Sequence, residues 1–155
     1  MVTTERRSTD PGSDLERNKA VVRQFIERVF VAGDAAAVDE LATEDFTPHS
    51  WGQQPGRDAL KATQQRAGAG LSDVSFTIDE MVAEGDLVAV RVTSSARQTG
   101  DFMGLPASGK RYTIPEMHFF RLRDGRVSEH WHEFNVAGLM QQLKGDARSN
   151  PRRRR

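Results

Sequence analysis

The chain has no cysteine, which excludes disulfides, thiolate metal sites and thiol nucleophiles. It also lacks net charge: 22 basic residues balance 22 acidic ones, so its overall field favours neither nucleic acid nor an anionic membrane. No apolar run approaches a membrane span. Residues 1–14 are polar and carry Arg6-Arg7 without the apolar stretch that a secretory signal needs. These absences predict a cytoplasmic protein with no membrane or nucleic-acid partner. A length of 155 residues favours one domain with a single core and room for a drug-sized pocket.

What is present divides into two periods. Ser13 and Glu16 have the spacing of a capping box. Behind them Val22, Phe25, Ile26, Val29 and Phe30 form one apolar helical stripe that ends at Gly33. Asp34 can cap a short second helix with Val38 and Leu41 inward, and a third runs from Arg57 to about Ala69. Between them, residues 46–56 read as a loop or irregular strand broken by Pro48, Gly52 and Pro55. From Val74 the period becomes two. Val74, Phe76 and Ile78 precede a turn at Glu84-Gly85-Asp86, and Val88, Val90 and Val92 follow it. Residues 112–123 and 126–135 make two more strands around Asp124-Gly125, and residues 139–143 close the domain. Helices first and an antiparallel meander afterwards predict an α+β domain over residues 14–145. Residues 1–13 and the basic 146–155, ending in four arginines, are expected to be disordered tails.

Histidine titrates closest to neutral pH, so a histidine cluster facing an apolar hollow is a candidate for proton transfer. All four histidines can be argued into one cavity: His118, His130 and His132 on adjacent strands, and His49 in the loop Phe46-Thr-Pro-His-Ser-Trp51. Two hairpin registers compete. A two-residue turn puts His118 opposite Trp131 and Glu116 opposite Glu133. A turn with one extra residue at Gly125 puts Glu116 opposite His132 and His118 opposite His130. The second is preferred because it avoids stacking two carboxylates. It also predicts Met117, Phe119, Val127 and Trp131 on the reverse face. Trp51, Phe102, Met103, Phe120 and Phe134 are the candidate apolar walls, with Phe46 beside His49. As alternative chemistry, Glu116, His118 and His132 would form a two-histidine, one-carboxylate metal triad.

Residues 100–110 (Gly-Asp-Phe-Met-Gly-Leu-Pro-Ala-Ser-Gly-Lys), residues 120–131 (Phe-Arg-Leu-Arg-Asp-Gly-Arg-Val-Ser-Glu-His-Trp) and residues 139–143 (Leu-Met-Gln-Gln-Leu) carry a resemblance. Together with Thr43-Glu-Asp-Phe46, they resemble the SnoaL-like polyketide cyclase, or ester cyclase, family of the nuclear transport factor 2-like superfamily. The resemblance implies a cone whose curved sheet and three N-terminal helices wrap a deep apolar pocket. It also implies homodimers or homotetramers joined through the outer sheet face, and aldol-type ring closure without a metal or organic cofactor. The family's general acid/base, an Asp two positions after the histidine of Glu129-His130-Trp131, corresponds to His132. Its substrate-binding glutamine corresponds to Glu116, and a pocket histidine to His118. The acid/base pair is thus rewritten together, which preserves proton-transfer capacity. The expectation is a hydrophobic secondary metabolite as substrate, with His132 as base oriented by Glu116. His118 or His49 would donate to the enolate oxygen, and His130 would line the pocket. Epoxide opening on the same residues, and a binding domain without catalysis, are the alternatives.

Overall fold

The computed structural model describes residues 10–144. Of the tails expected at 1–13 and 146–155, residues 1–9 and all of the second, with its arginine run, lie outside them, whereas residues 10–13 belong to the cap and first turn of a helix. Helix α1 spans Pro11–Phe25. Its cap is Asp10 rather than the predicted Ser13–Glu16 box: the Asp10 carboxylate accepts from the Gly12 amide at 3.2 Å, and the Ser13 hydroxyl donates to the Asp10 carbonyl. Pro11 at the first helical position explains the shift, because its ring fixes φ for a helix start and it has no amide proton to leave unsatisfied.

The helix continues as a π-helical segment, Ile26–Val31. The wider turn keeps Val22, Phe25, Ile26 and Val29 buried and lets Phe30 lean into the cavity. Gly33 takes a left-handed φ of 63°. Asp34 then caps α2 (Ala35–Leu41), accepting from the amides of Ala36 and Ala37. Strand β1 (Ala42–Pro48) takes up the first part of the segment read as a loop or irregular strand and begins before it, and α3 follows at Arg57–Gly70. The meander is β2 (Leu71–Glu84), β3 (Leu87–Gln98), β4 (Arg111–Arg123) and β5 (Arg126–Phe134), closed by α4 (Val136–Lys144). The sheet order is β1-β5-β4-β3-β2, with β1 parallel to β5 and the rest antiparallel. This is the α+β cone of the nuclear transport factor 2-like fold.

The hairpin register differs from both predicted forms. Asp124 and Gly125 have φ of 52° and 73°, so the turn is a two-residue type I′ turn and Arg123 faces Arg126. The extra residue lies further on. Arg121 faces Glu129 while Leu122 faces Val127, which leaves Ser128 as a bulge. Its hydroxyl donates to the Arg121 carbonyl at 3.1 Å. Beyond the bulge Phe120 faces His130, His118 faces His132, and Glu116 faces Phe134. Without Ser128 the turn alone would aim Trp131 inward. With it, His130 and His132 share the concave face with Glu116 and His118. Val127, expected on the reverse face, lies before the bulge and is fully buried, whereas Met117 and Phe119 are exposed on the outside.

Two apolar clusters flank the hollow. One joins the α1, α2 and β1 side chains to Val88, Val90, Val92, Phe120, Leu122 and Val127; the other joins Ala96, Tyr112 and Ile114 to Leu139 and Leu143. Buried Gln98 ties down the connection after β3, donating to the carbonyls of Leu105 and Pro106 and accepting from Ser108. The end of α3 meets this connection through glycines, since the Gly70 carbonyl accepts from the amides of Thr99 and Gly100. A Cβ on Gly100 would collide with the Ala69 carbonyl oxygen. Gly100→Ala is therefore expected to cost about 1–3 kcal/mol and to lower the thermal unfolding midpoint, measured by circular dichroism. An unchanged midpoint would show that this contact is slack.

Candidate functional site

Strand alternation places Tyr112, Ile114, Glu116, His118 and Phe120 on the concave face of β4, and the Ser128 bulge brings His130 and His132 opposite them. They meet at a cavity of about 380 Å³. Its polar group is Glu116, His118, His130 and His132. Phe30, Phe76, Phe102, Phe134 and Leu139 supply apolar wall, and Gln53, Thr63, Gln64 and Ser72 supply polar wall.

Glu116 is the centre of the polar group. Its Oε2 faces His132 Nε2 at 2.7 Å and His118 Nε2 at 3.2 Å, while Oε1 accepts from the Ser94 hydroxyl. The His118 and His132 rings stack at 4.3 Å with 7° between their planes. His118 Nδ1 lies 2.9 Å from His130 Nε2. Burial by itself pushes the Glu116 carboxyl up. The hydrogen bonds from His118, His132 and Ser94 outweigh it, and the group is held down at about 2. Burial lowers His118 against the pull of Glu116, and burial with neighbouring imidazoles lowers His130 much further.

The proton positions follow from the network. An ionised Glu116 only accepts, so both facing Nε2 atoms carry hydrogens. Neutral His118 then has a bare Nδ1, and His130 must donate to it from Nε2. The His132 ring borders the cavity, and its Nδ1 makes no hydrogen bond among the described residues. That nitrogen is the base the geometry presents. Glu116, His118 and His132 also have donor atoms within 4.8 Å of one another, close enough to hold a metal ion.

The structure brings Glu116, His118, His130, His132, Phe102 and Phe134 together and leaves out the other sequence candidates. Phe46 and Phe120 are fully buried in the core beside Phe25, with no cavity surface. Met103 and Trp51 point to solvent, Trp51 with 100% exposure. His49 stacks on Trp131 at 4.4 Å and meets Glu129 at 3.0 Å, outside the cavity. The reason is β1: the strand runs through Pro48 and pairs with His130 there, so the residues beyond it emerge at the sheet edge. His118 is also corrected as a donor to substrate, because Glu116 and His130 occupy both its nitrogens. Sequence reasoning missed Phe30, Phe76, Ser94 and Tyr112. For Ser94 and Tyr112 the signal was available, since the alternation that selects Glu116 also selects Tyr112, and that of Val88, Val90 and Val92 selects Ser94.

Comparisons with known proteins agree with this architecture. The chain matches the SnoaL-like polyketide cyclase family over residues 20–143. It is 28% identical over 64 residues to the aklanonic acid methyl ester cyclase DnrD of Streptomyces peucetius, across 41% of this chain and 44% of that protein. It is 29% identical over 59 residues to DauD, the enzyme of the same description from Streptomyces sp. (strain C5), across 38% and 37%. The matched segment thus spans less than half the length of each of these curated relatives. Among solved structures, TsrD from Streptomyces laurentii superposes with a TM-score of 0.73 at 31% identity, over 81% of this chain and 96% of its own. A protein from Jannaschia sp. CCS1 shares the fold with a TM-score of 0.79 at 23% identity, over 92% and 99%. With its sheet, its cavity and a match over residues 20–143, the chain belongs to the SnoaL-like polyketide cyclase family.

Proposed function

We propose that this protein closes a ring in a hydrophobic polyketide-type ketone by acid/base catalysis, with His132 as the base. The observation that supports this most directly is His132 Nε2 at 2.7 Å from Glu116 Oε2 on the wall of a largely apolar cavity. Glu116 holds the ring by Nε2 and so leaves Nδ1 free for a ligand, and it compensates the charge when that nitrogen takes a proton. In an internal aldol reaction His132 removes a proton from the carbon beside one carbonyl. The resulting enolate carbon bonds to a second carbonyl carbon, and the alkoxide formed there takes the proton back from His132. Nothing is lost and no redox partner is needed. His118 acts through Glu116, holding the shared carboxylate in place, and His130 fixes the His118 tautomer.

The two Streptomyces relatives supply the test compound, aklanonic acid methyl ester. His132→Ala is expected to slow its cyclisation by about 10²–10⁴-fold, and Glu116→Gln is expected to slow it too, in protein dialysed against a chelator. Product formation is followed by chromatography. Full turnover in both variants would remove the assignment. Activity that vanishes on chelation and returns with one equivalent of metal would replace the proton-sharing reading with the metal one.

The charge states have a second consequence. In the unfolded chain a histidine binds its proton near pH 6.5 and a glutamate near 4.3. Folded His118 and His130 are lowered, so below about pH 6.5 the unfolded chain takes up protons that the folded chain refuses, and stability falls. Glu116, held at about 2, adds a further loss as pH drops from about 4.3 towards that value. The unfolding midpoint is expected to decline from pH 7 to pH 5, and less steeply in His130→Asn. A midpoint flat over that range in the parent protein would contradict buried neutral imidazoles.

The partner reading extends to a homodimer or homotetramer joined through the outer sheet face. Exposed Met117 and Phe119 support it, an apolar pair that water alone does not favour. Sedimentation equilibrium is expected to give a multiple of the 17.3 kDa chain mass, lowered towards the single-chain value by Met117→Lys with Phe119→Lys. A monomer at micromolar concentration would refute it.

A further inference from the structure

Tyr112 is the one tyrosine of the chain. Its side chain is buried, with 6% exposure, and borders the cavity. The ring packs in the cluster of Ala96, Ile114, Leu139 and Leu143, while its hydroxyl makes no hydrogen bond among the described residues and is not fully enclosed, so it keeps open surface at the cavity. Phenylalanine would fill the same apolar cluster, so the hydroxyl adds nothing to the packing. An unpartnered donor on a cavity wall has a use when a ligand oxygen meets it. Burial, with the Glu116 charge behind it, pushes the phenol up to about 12, so the proton remains on oxygen, available for donation.

Position defines the ligand further. Tyr112 and Glu116 lie on the same face of β4, four residues and about 13 Å apart along the strand. A molecule that touches His132 beside Glu116 and also reaches Tyr112 must be elongated along β4. The walls between them are planar: Phe134 stacks on His132 at 4.9 Å, with Phe102 and Phe76 around the same space.

We propose that the Tyr112 hydroxyl donates a hydrogen bond to a carbonyl oxygen of the bound ligand, at the end of the cavity away from His132. This deepens the cyclase reading and rests on it for the identity of the reacting end, while the contact itself requires no turnover. Tyr112 recognises an oxygen on the part of the molecule that does not react, and so sets how far the ligand slides along β4.

The test uses 9-fluorenone, a flat tricyclic ketone, with fluorene as its carbonyl-free control, in the full chain and in Tyr112→Phe. Equilibrium dialysis is expected to show fluorenone binding about five- to tenfold weaker in the variant, the worth of one neutral hydrogen bond, with fluorene unchanged. Infrared difference spectra should show the fluorenone carbonyl stretch displaced to lower frequency in the parent protein and not in the variant. Because there is one tyrosine, 3-fluorotyrosine labelling modifies this hydroxyl alone. Its more acidic phenol should lower the carbonyl frequency further, which keeps the test available if Tyr112→Phe folds poorly. Equal fluorenone affinity in both proteins, a carbonyl band that ignores the label, or no fluorenone binding at all would overturn the proposal. Loss of the ester reaction in parent protein that still binds fluorenone through Tyr112 would instead count against the cyclase reading alone.

Discussion

One oxygen atom organises the cavity. Glu116 Oε2 faces two imidazole nitrogens at once, within 3.2 Å of each, and it does so in a site where an unpaired charge would be expensive. The carboxylate remains ionised because Ser94 and the two rings supply hydrogens to it. The rings remain parallel because they share the same acceptor. Remove that oxygen and His118 and His132 have no reason to stack, His130 has no tautomer to match, and the base loses its orientation. The rest of the fold can be understood as whatever keeps these four side chains on one face and the water count around them low.

Two pieces of irregular backbone do most of that work. The π-helical segment rotates Phe30 off the core stripe so that its ring covers His118 and His130, with centroids 5.9 and 5.3 Å away. The Ser128 bulge turns β5 by one residue so that histidines, and not Trp131, face inward. Regular backbone at these two places would turn Phe30 and the β5 histidines to other faces. The irregular pieces leave a hollow with a polar patch at its wall, which is the kind of place where local departures from ideal geometry tend to be retained.

Much of this was legible in the residues. The period of two through β4 put Glu116 and His118 on one face, and the stripe from Val22 to Phe30 oriented α1 correctly. The inward direction of His132 followed too, although for the wrong reason, because an extra residue in the turn and an extra residue at Ser128 have the same parity. Nothing local announces the bulge: serine has no left-handed preference, and its anchor, the Arg121 carbonyl, lies across the ladder. His49 and Trp51 failed for a related reason. Their aromatic and proline-rich surroundings read as a pocket lip, whereas the parallel pairing of β1 with β5, a long-range contact, carries them to the sheet edge. Tyr112 shares the face of Glu116 by the same alternation, but only the cavity shows that its ring borders the hollow.

Both indoles lie away from the hollow. Trp51 is fully solvated, and Trp131 sits on the convex side between His49 and the Arg121 guanidinium, whose carbon is 5.8 Å from the ring. Intrinsic tryptophan emission from this protein is thus blind to what fills the interior by direct contact. A quenching titration with a small guest would report energy transfer or inner-filter absorbance rather than contact with an indole. The same emission would respond to events on the convex side, where Trp131 is placed to register them.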